Sequence, residues 1–317
     1  MQNSAPRRRL VAIGNFDGVH LGHQAVLREA ASNAAARGLA PTVLTFDPHP
    51  AAVIGRGAPP LLTSLRRKVQ LIQRLMPEMA VEVLTFDHAL AAQNPDEFAE
   101  GILVRSLHAG LVLVGDNFRF GRARAGDFAL LSTLGNRLGF ETRSHAMVGD
   151  GVGTFSSTRA RSSIALGDVR SAREVLGRPH ALSGTVVKGD QRGRTIGFPT
   201  ANIDGVVEAL PAFGVYAVAV DHISESFQAH RLGVGVANIG IRPTVKVDAM
   251  PSVEVHLFNF AEDIYGANLR VHLVARLRGE QRFAGLHELR DQIALDVAAA
   301  GAVLSNLPQS SDSDFWW

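Results

Sequence analysis

In the first half of the chain, short apolar runs alternate with longer segments whose apolar residues recur every three or four positions. The runs RLVAIGNF, APTVLTFD and GLVLVG, together with the segment 81–86, predict buried β-strands. Helical patterns lie between them, at about 21–36, 63–76, 95–109 and 127–138. Strands and helices that alternate at this spacing predict an α/β domain built on a doubly wound parallel sheet.

The pattern changes after about residue 182. LSGTVVKG, FGVYAVAV, RLGVGVANIG, SVEVHLFNF and NLRVHLVARL are short β-rich segments broken by glycine, proline and aspartate, which predicts a small antiparallel barrel or sandwich. A helix is expected at 285–303, followed by a polar tail that ends in Trp316 and Trp317. We therefore expect one domain over 1–180, a second over 181–305 and a disordered tail over 306–317.

Composition restricts the class of protein. The 317 residues suffice for two domains with their own cores, and 32 basic against 30 acidic residues leave a formal net charge of only +2. The pI near 9.4 is therefore weak evidence for nucleic-acid binding. The absence of cysteine excludes disulfides and thiolate metal sites and agrees with the cytoplasm. No apolar stretch approaches the roughly 18 residues of a membrane span, and the run Arg7–Arg9 is interpreted as a solvated lead-in to the first strand.

The first strand runs into GNFDGVHLGH, directly before a helical pattern. No lysine is followed by Ser or Thr and no G-x-G-x-x-G follows a strand, so the two common phosphate loops are excluded. Free N–H groups and the helix dipole still favour an anion here, and His20 and His23 can face one ligand. Gly14 and Gly18 allow close approach of the backbone. On this evidence alone, two histidines are more often structural residues or metal ligands.

A second polar segment, TFSSTRARSSI, concentrates hydroxyl and guanidinium groups that suit phosphate oxygens. These groups belong to Ser156, Ser157, Thr158, Arg159 and Arg161. A helix N-cap followed by surface arginines would give the same pattern.

In the second half, KGDQRGRTIGFPTANI has the composition of a loop over phosphates. The loop residues that support this reading are Gly189, Arg192, Gly193, Arg194 and Gly197. Thr200 and Asn202 stand two positions apart, so on an extended segment they project to the same side, as joint anchoring of Mg²⁺ and a nucleotide requires. A β-turn with solvated arginines is the alternative.

The segment SVEVHLFNF alternates between apolar and polar residues. Val253 and Val255 face one side, while Glu254 and His256 face the other. An isolated carboxylate on a polar strand face is usually just solvated, so Glu254 is not by itself a catalytic signal.

Together, G-x-F-D-G-x-H-x-G-H and the later S-S-T-x-x-R resemble the nucleotidylyltransferase superfamily. TFDPHP, VGDNFRFG and LGRP resemble one branch of it, the bacterial bifunctional riboflavin kinase/FAD synthetases, from about Leu10 to Ala300. The resemblance implies an N-terminal FMN adenylyltransferase domain and a C-terminal riboflavin kinase barrel. It also implies ATP as co-substrate, Mg²⁺ as cofactor, and riboflavin and FMN as substrates.

In the first domain, the resemblance implies that His20 and His23 contact the ATP phosphates and stabilise the transition state, while Arg161 holds the outgoing pyrophosphate. It places further ATP contacts at Gly14, Asn15, Phe16, Asp17, Gly18, Asn117, Ser156, Ser157 and Thr158. Phe155 and Ala160 replace isoleucines expected there, which alters the packing of that segment rather than its chemistry.

In the barrel, the resemblance gives Thr200 and Asn202 to the metal and phosphates, and makes Glu254 the general base for the riboflavin 5′-hydroxyl. Arg282 and Phe283 would form part of the flavin edge, although Phe283 equally suits the core. Outer contacts differ from those of relatives, because Asn259 and Ala261 stand where acidic residues are common.

Two other functions compete with this one. An adenylyltransferase active only in its first half would use the barrel as a flavin-binding module, against which Thr200, Asn202 and Glu254 argue. A nucleic-acid-binding protein would interleave basic and aromatic residues, and that pattern does not occur at 6% aromatic content. We expect small-molecule substrates, no membrane or nucleic-acid partner, and leave self-association open.

Overall fold

The computed structural model describes residues 7–55, 57–189, 193, 197–241, 251–305 and 307. Arg192, Arg194 and the predicted tail, apart from Leu307, lie outside these residues. Backbone contacts divide the chain into two units, the first extending to Pro59 and covering Ser64–Ser156. Pro60–Thr63 and the chain from Ser157 onward form the second unit. The boundary predicted at 180/181 divides the chain by sequence pattern and stays a prediction.

The first unit contains a five-stranded parallel sheet in the order β3-β2-β1-β4-β5, which confirms the predicted α/β class. The strands are β1 Arg9–Ile13, β2 Ala40–Asp47, β3 Ala80–Thr85, β4 Ala109–Gly115 and β5 Glu141–His145. A short hairpin follows, formed by β6 Gly149–Asp150 and β7 Gly153–Thr154. Because the strand order reverses between β1 and β4, the carboxyl ends of these two strands flank the switch point where α/β proteins bind ligands.

Six α-helices of the first unit are described around this sheet. They are α1 Leu21–Arg37, α2 Pro50–Val53, α3 Leu65–Leu75, α4 His88–Ala92, α5 Pro95–Phe98 and α6 Phe128–Leu138. The single helix predicted over 95–109 is instead α5 continued by a π-helix, Ala99–Ser106. Helix α1 ends where the sequence predicts, because Gly38 adopts φ 65° and its N–H caps the carbonyls of the last turn.

In the second unit, a closed six-stranded barrel in the order β10-β11-β12-β9-β8-β13 confirms the predicted antiparallel barrel. Its strands are β8 Ala181–Val187, β9 Ala201–Asp204, β10 Gly214–Ile223, β11 Ala229–Ile241, β12 Pro251–Leu257 and β13 Asn268–Gly279. Valine, leucine and isoleucine side chains from all six strands fill its interior. The helices of this unit are α7 Ser157–Ala165, α8 Val169–Leu176 and α9 Leu286–Leu304.

Helix α9, the predicted C-terminal helix, packs on β10, β11 and β13. The guanidinium of Arg278 forms a bidentate ion pair with the buried carboxylate of Asp296, with Nε at 2.9 Å from Oδ1 and Nη2 at 2.8 Å from Oδ2. Apolar side chains including Ala300 and Leu304 complete the contact. Across the described residues, no helix is both long and apolar enough to cross a membrane.

A buried ionic cluster lies within the barrel wall. Asp221 on β10 accepts from Arg231 Nε at 2.9 Å and lies 2.7 Å from His272 Nε2 on β13. Burial alone would raise the pKa of Asp221, but the hydrogen bonds and charges of His272 and Arg231 outweigh it and lower the pKa to about 2. The cluster therefore holds a carboxylate that is ionised at neutral pH and only 1% exposed.

Candidate active sites

The loop that joins β1 to α1 carries the motif GNFDGVHLGH in a strained backbone. Phe16 and Val19 adopt left-handed conformations with φ 49° and 39°, and both are buried. Each such residue costs on the order of 1–3 kcal/mol and persists only where its surroundings enforce it. Gly18 is also left-handed, at φ 81°, but this conformation causes no steric strain because glycine has no Cβ. The conformation of this loop is therefore imposed by its contacts.

The two predicted histidines lie side by side at the start of α1. His20 is the N-cap, and its Nδ1 accepts the backbone N–H of His23 at 3.3 Å. Their rings stack with centroids 3.6 Å apart, and the ring of Phe16 packs on His23 at 5.1 Å. A Cβ on Gly22 would lie 2.9 Å from the carbonyl oxygen of Phe155, so only glycine fits between the histidines and that segment. The structure thus fixes both imidazoles where the helix dipole favours an anion.

Three further residues meet this loop, and none of them stands out in the sequence as a site residue. His49 of TFDPHP places Nε2 3.3 Å from Asn15 Nδ2. Lys68 on α3 donates to the carbonyl of Asn15 at 3.1 Å, and so does the hydroxyl of Thr45 at the same distance. Proximity to the end of β2 is a sequence signal that could have found His49. Lys68 has no comparable local signal, because its partners lie 22 to 53 positions away.

Other predicted ATP contacts of the first unit lie near the same sheet edge. Asn117 is exposed in the turn that follows β4, the neighbour of β1, and Gly14 donates its N–H to Leu44 on the other neighbouring strand. Ser156 is the last residue of this unit. The rest of the S-S-T-x-x-R segment, Ser157, Thr158 and Arg161, belongs to α7 of the second unit, where Arg161 Nε donates to the carbonyl of Pro60 at 2.8 Å.

The barrel brings together the predicted base and one of the predicted metal anchors. Glu254 on β12 is paired in register with Asn202 on β9, and on its other side with Asn238 on β11. Val253 and Val255 point into the core, so Glu254 projects from the opposite face, as the alternation predicts. Asn238 was missed by the sequence analysis, since register between distant strands cannot be derived from one strand's pattern.

The predicted phosphate loop reaches the same place through Gly189. A Cβ on Gly189 would collide with the side-chain amide of Asn202, so the backbone lies directly against that amide. On β12, His256 Nδ1 lies 2.8 Å from the carbonyl of Pro199, the residue before Thr200, and the rings of His256 and Phe198 meet edge to face at 5.4 Å. His256 thereby ties the G-F-P-T-A-N segment to the strand that carries Glu254.

Four other predicted barrel residues lie outside the strands: Gly193, Gly197, Arg282 and Phe283. Gly193 accepts the N–H of Phe198 at 2.8 Å, and Gly197 has φ 89°. Arg282 is exposed after β13, while Phe283 is half-buried with the guanidinium of Arg278 5.7 Å from its ring centroid. The predicted flavin edge stays a prediction.

The donor set of the barrel suits magnesium. Thr200 and Asn202 offer hydroxyl and amide oxygens, hard ligands that Mg²⁺ takes together with substrate phosphates. The close fit of Gly189 against Asn202 leaves that amide in a defined position. Within the described part of the chain, no group of three or more His, Cys, Asp or Glu side chains could hold a metal by itself.

Comparison with known proteins finds two parts in this chain. The FAD synthetase family matches residues 2–159, and the riboflavin kinase family matches residues 176–304. The bifunctional riboflavin kinase/FMN adenylyltransferase of Escherichia coli (strain K12) is 41% identical over 303 residues, covering 94% of each chain. Its counterpart in Bacillus subtilis (strain 168) is 36% identical over 95% of this chain and 94% of the relative. A crystal structure of a protein named macrolide-efflux protein, from Streptococcus pneumoniae, matches with a TM-score of 0.81 at 29% identity, covering 96% of both chains.

Proposed function

Because this chain belongs to the family of bifunctional riboflavin kinase/FMN adenylyltransferases, we propose that its two units divide the two reactions between them. The chain is an enzyme of flavin-cofactor synthesis that phosphorylates riboflavin to FMN and converts FMN to FAD. We assign the phosphorylation to the barrel and the adenylyl transfer to the parallel-sheet unit. The observation that carries this assignment is that the base candidate Glu254 and the histidine pair lie in different units.

In the barrel, we assign Glu254 to accept the proton of the riboflavin 5′-hydroxyl as its oxygen attacks the γ-phosphorus of ATP, with ADP as the leaving group. Thr200 and Asn202 would hold Mg²⁺, which neutralises charge on the phosphates when bound. The register pairing of Asn202 with Glu254 supports this, because it puts the anchor and the base on the same face of adjacent strands.

In the parallel-sheet unit, a phosphate oxygen of FMN would attack the α-phosphorus of ATP and release pyrophosphate. The attacking group is already ionised, so positioning and charge stabilisation supply the catalysis. His20 and His23 fit this role, since their stacked rings lie at a helix N-terminus beside the switch point of the sheet. Asn15 and Asn117 would provide neighbouring polar contacts.

The remaining assignments follow from the chemistry. Both reactions use ATP, a cytoplasmic metabolite, and the cysteine-free sequence agrees with that compartment, so we propose a cytoplasmic enzyme acting on small molecules. The name macrolide-efflux protein belongs to the Streptococcus pneumoniae structure, and we do not extend it to this chain.

One assay tests the proposal. Purified protein is incubated with riboflavin, ATP and MgCl₂, and FMN, FAD and pyrophosphate are measured over time, with an EDTA-treated sample as the control. We expect FMN to appear first, FAD to follow with one pyrophosphate each, and both reactions to stop in EDTA. Formation of FAD from supplied FMN without any FMN from riboflavin would favour an adenylyltransferase whose barrel only binds flavin. Activity that persists in EDTA would remove Mg²⁺ from the proposal.

A further inference from the structure

Lys68 is a buried lysine beside the histidine loop, and its ammonium is fully engaged by the protein. It is 7% exposed, and Nζ donates to the carbonyl of Asn15 at 3.1 Å, the hydroxyl of Thr45 at 3.0 Å and the carbonyl of Phe46 at 3.3 Å. A lysine ammonium has three N–H donors, so these three acceptors use all of them. Lys68 therefore has no donor left for a phosphate in this arrangement.

Burial lowers the pKa of Lys68, whereas the carboxylates of Asp17 and Asp47 act to raise it. Asp17 belongs to the histidine loop and Asp47 ends β2. Lys68 thus bridges the two segments by charge as well as by hydrogen bonds.

Of the three acceptors of Lys68, the carbonyl of Asn15 is the one that connects it to the histidine loop. This carbonyl belongs to the peptide group that links Asn15 to Phe16, and Thr45 Oγ1 donates to the same oxygen at 3.1 Å. Two donors on one carbonyl fix the plane of that peptide, next to the residue that must adopt φ 49°. The ring of Phe16 then packs on His23, which stacks on His20. A continuous series of contacts therefore runs from Lys68 to both imidazoles.

We infer that Lys68 is a positioning residue for adenylyl transfer, which acts by clamping the Asn15–Phe16 peptide to the end of β2 and so holding His20 and His23 in their reactive placement. This inference rests on the proposed function of the parallel-sheet unit. Because its three donors are used by protein acceptors, Lys68 acts through the loop, in contrast to lysines that bind phosphate directly. Replacing Lys68 should displace the two imidazoles and so weaken stabilisation of the transition state. The binding of ATP should change less.

The test is Lys68→Met in the full chain, with kcat and KM measured for FAD formation from FMN and, in the same preparation, for riboflavin phosphorylation. We expect kcat for FAD formation to fall by about 10²-fold, a loss that a displacement near 1 Å can cause, with KM for ATP little changed. Riboflavin phosphorylation should keep its kcat. Arg74→Met is the matched control, because Arg74 is an exposed cation on the same helix, and it should leave both activities unchanged.

Two further variants keep the inference testable if Lys68→Met does not fold. Thr45→Val removes one donor to Asn15 and one of the three acceptors of Lys68 while retaining the ammonium, and it should lower the same kcat less strongly. Lys68→Cys introduces a single thiol, because the chain has no cysteine. Alkylation with 2-bromoethylamine in denaturant, followed by refolding, rebuilds an ammonium at the length of lysine. This product should recover kcat, whereas a mock-treated sample should not.

The outcomes separate the alternatives. A raised KM for ATP with unchanged kcat would make Lys68 a direct phosphate ligand and overturn the inference. Wild-type kinetics in Lys68→Met or in Thr45→Val would also overturn the inference. The same holds if both activities of Lys68→Cys fall in proportion to the amount of folded protein and the rebuilt ammonium does not restore them. Failure of the wild-type chain to form FAD from FMN would instead refute the proposed function of this unit.

Discussion

Replacing Asp221 with asparagine should destabilise the barrel at neutral pH and have a smaller effect in acid. The carboxylate is 1% exposed, and its pKa of about 2 lies nearly two units below the ordinary 3.8. At about 1.4 kcal/mol per unit, that difference contributes about 2.5 kcal/mol to the free energy of unfolding. Asp221→Asn also leaves Arg231 and His272 in the wall without their carboxylate, and breaking a buried ion pair costs about 3–5 kcal/mol. We expect a loss of about 3 kcal/mol at pH 7.

The sign of the pH dependence follows from the lowered pKa. The contribution of Asp221 is fully present above the unfolded pKa near 3.8 and is lost as the pH falls through the folded pKa near 2. The wild-type protein and Asp221→Asn should therefore differ most at pH 5–7 and converge towards pH 2. Urea unfolding at several pH values measures this, followed by riboflavin kinase activity and by near-ultraviolet circular dichroism, to which Tyr216 and Tyr265 of the barrel contribute.

Asp204→Asn is the matched control, since Asp204 is an exposed carboxylate on the same barrel. It should unfold at the wild-type urea concentration at every pH. Equal stability of Asp221→Asn and the wild-type protein at pH 7, or a difference that stays constant down to pH 3, would refute the account of the buried cluster.

The remaining predictions concern the two reactions and the C-terminal helix. Glu254→Gln should lower FMN formation by about 10²–10⁴-fold, the usual effect of removing a general base, while FAD still forms from supplied FMN. His20→Ala and His23→Ala should lower FAD formation by about 10²–10³-fold, as loss of a transition-state contact does, so that FMN accumulates. Arg278→Met should lower the melting temperature, because it leaves the carboxylate of Asp296 buried without its cationic partner and with only the amide of Gln292 donating to it, at a cost of about 3–5 kcal/mol.

Each of these variants carries its own control. The second activity of the same chain reports whether the protein is folded and intact in the catalytic variants, and circular dichroism reports the same for Arg278→Met. Loss of both activities in Glu254→Gln, with an unchanged circular dichroism spectrum, would contradict the division of reactions between the units. An unchanged melting temperature for Arg278→Met would show that α9 is held by its apolar contacts alone.

Short-range patterns predicted most of the fold. Alternating strands and helices led to the parallel sheet, and short β-rich segments led to the barrel, because both rest on periodicities that single segments carry. The C-terminus of α1 is also determined locally, because Gly38 itself supplies the left-handed conformation that caps the helix. The π-helix at Ala99–Ser106 was missed, since a change in helical winding leaves the apolar spacing almost intact.

The candidate sites were predicted less completely. His20, His23 and Glu254 lie in motifs, but Lys68 meets Asn15 across 53 positions and Asn238 meets Glu254 only through strand register. Such contacts are set by packing and by pairing between distant segments, which no local pattern encodes. The family resemblance supplied roles for residues within motifs. The structure adds Lys68 and Asn238, which belong to other segments and meet motif residues through packing or strand pairing.

The pairing of Glu254 with Asn202 also bears on how the barrel loses activity when heated. Paired residues on neighbouring strands keep their Cβ atoms about 4.5–5.5 Å apart only while the backbone ladder between the strands holds. A slip of one residue would turn one of these two side chains to the opposite face. If Glu254 and Asn202 act together as proposed, separation of the short β9–β12 pairing ends kinase activity, and the half-life of that activity at high temperature reports the first separation of those two strands.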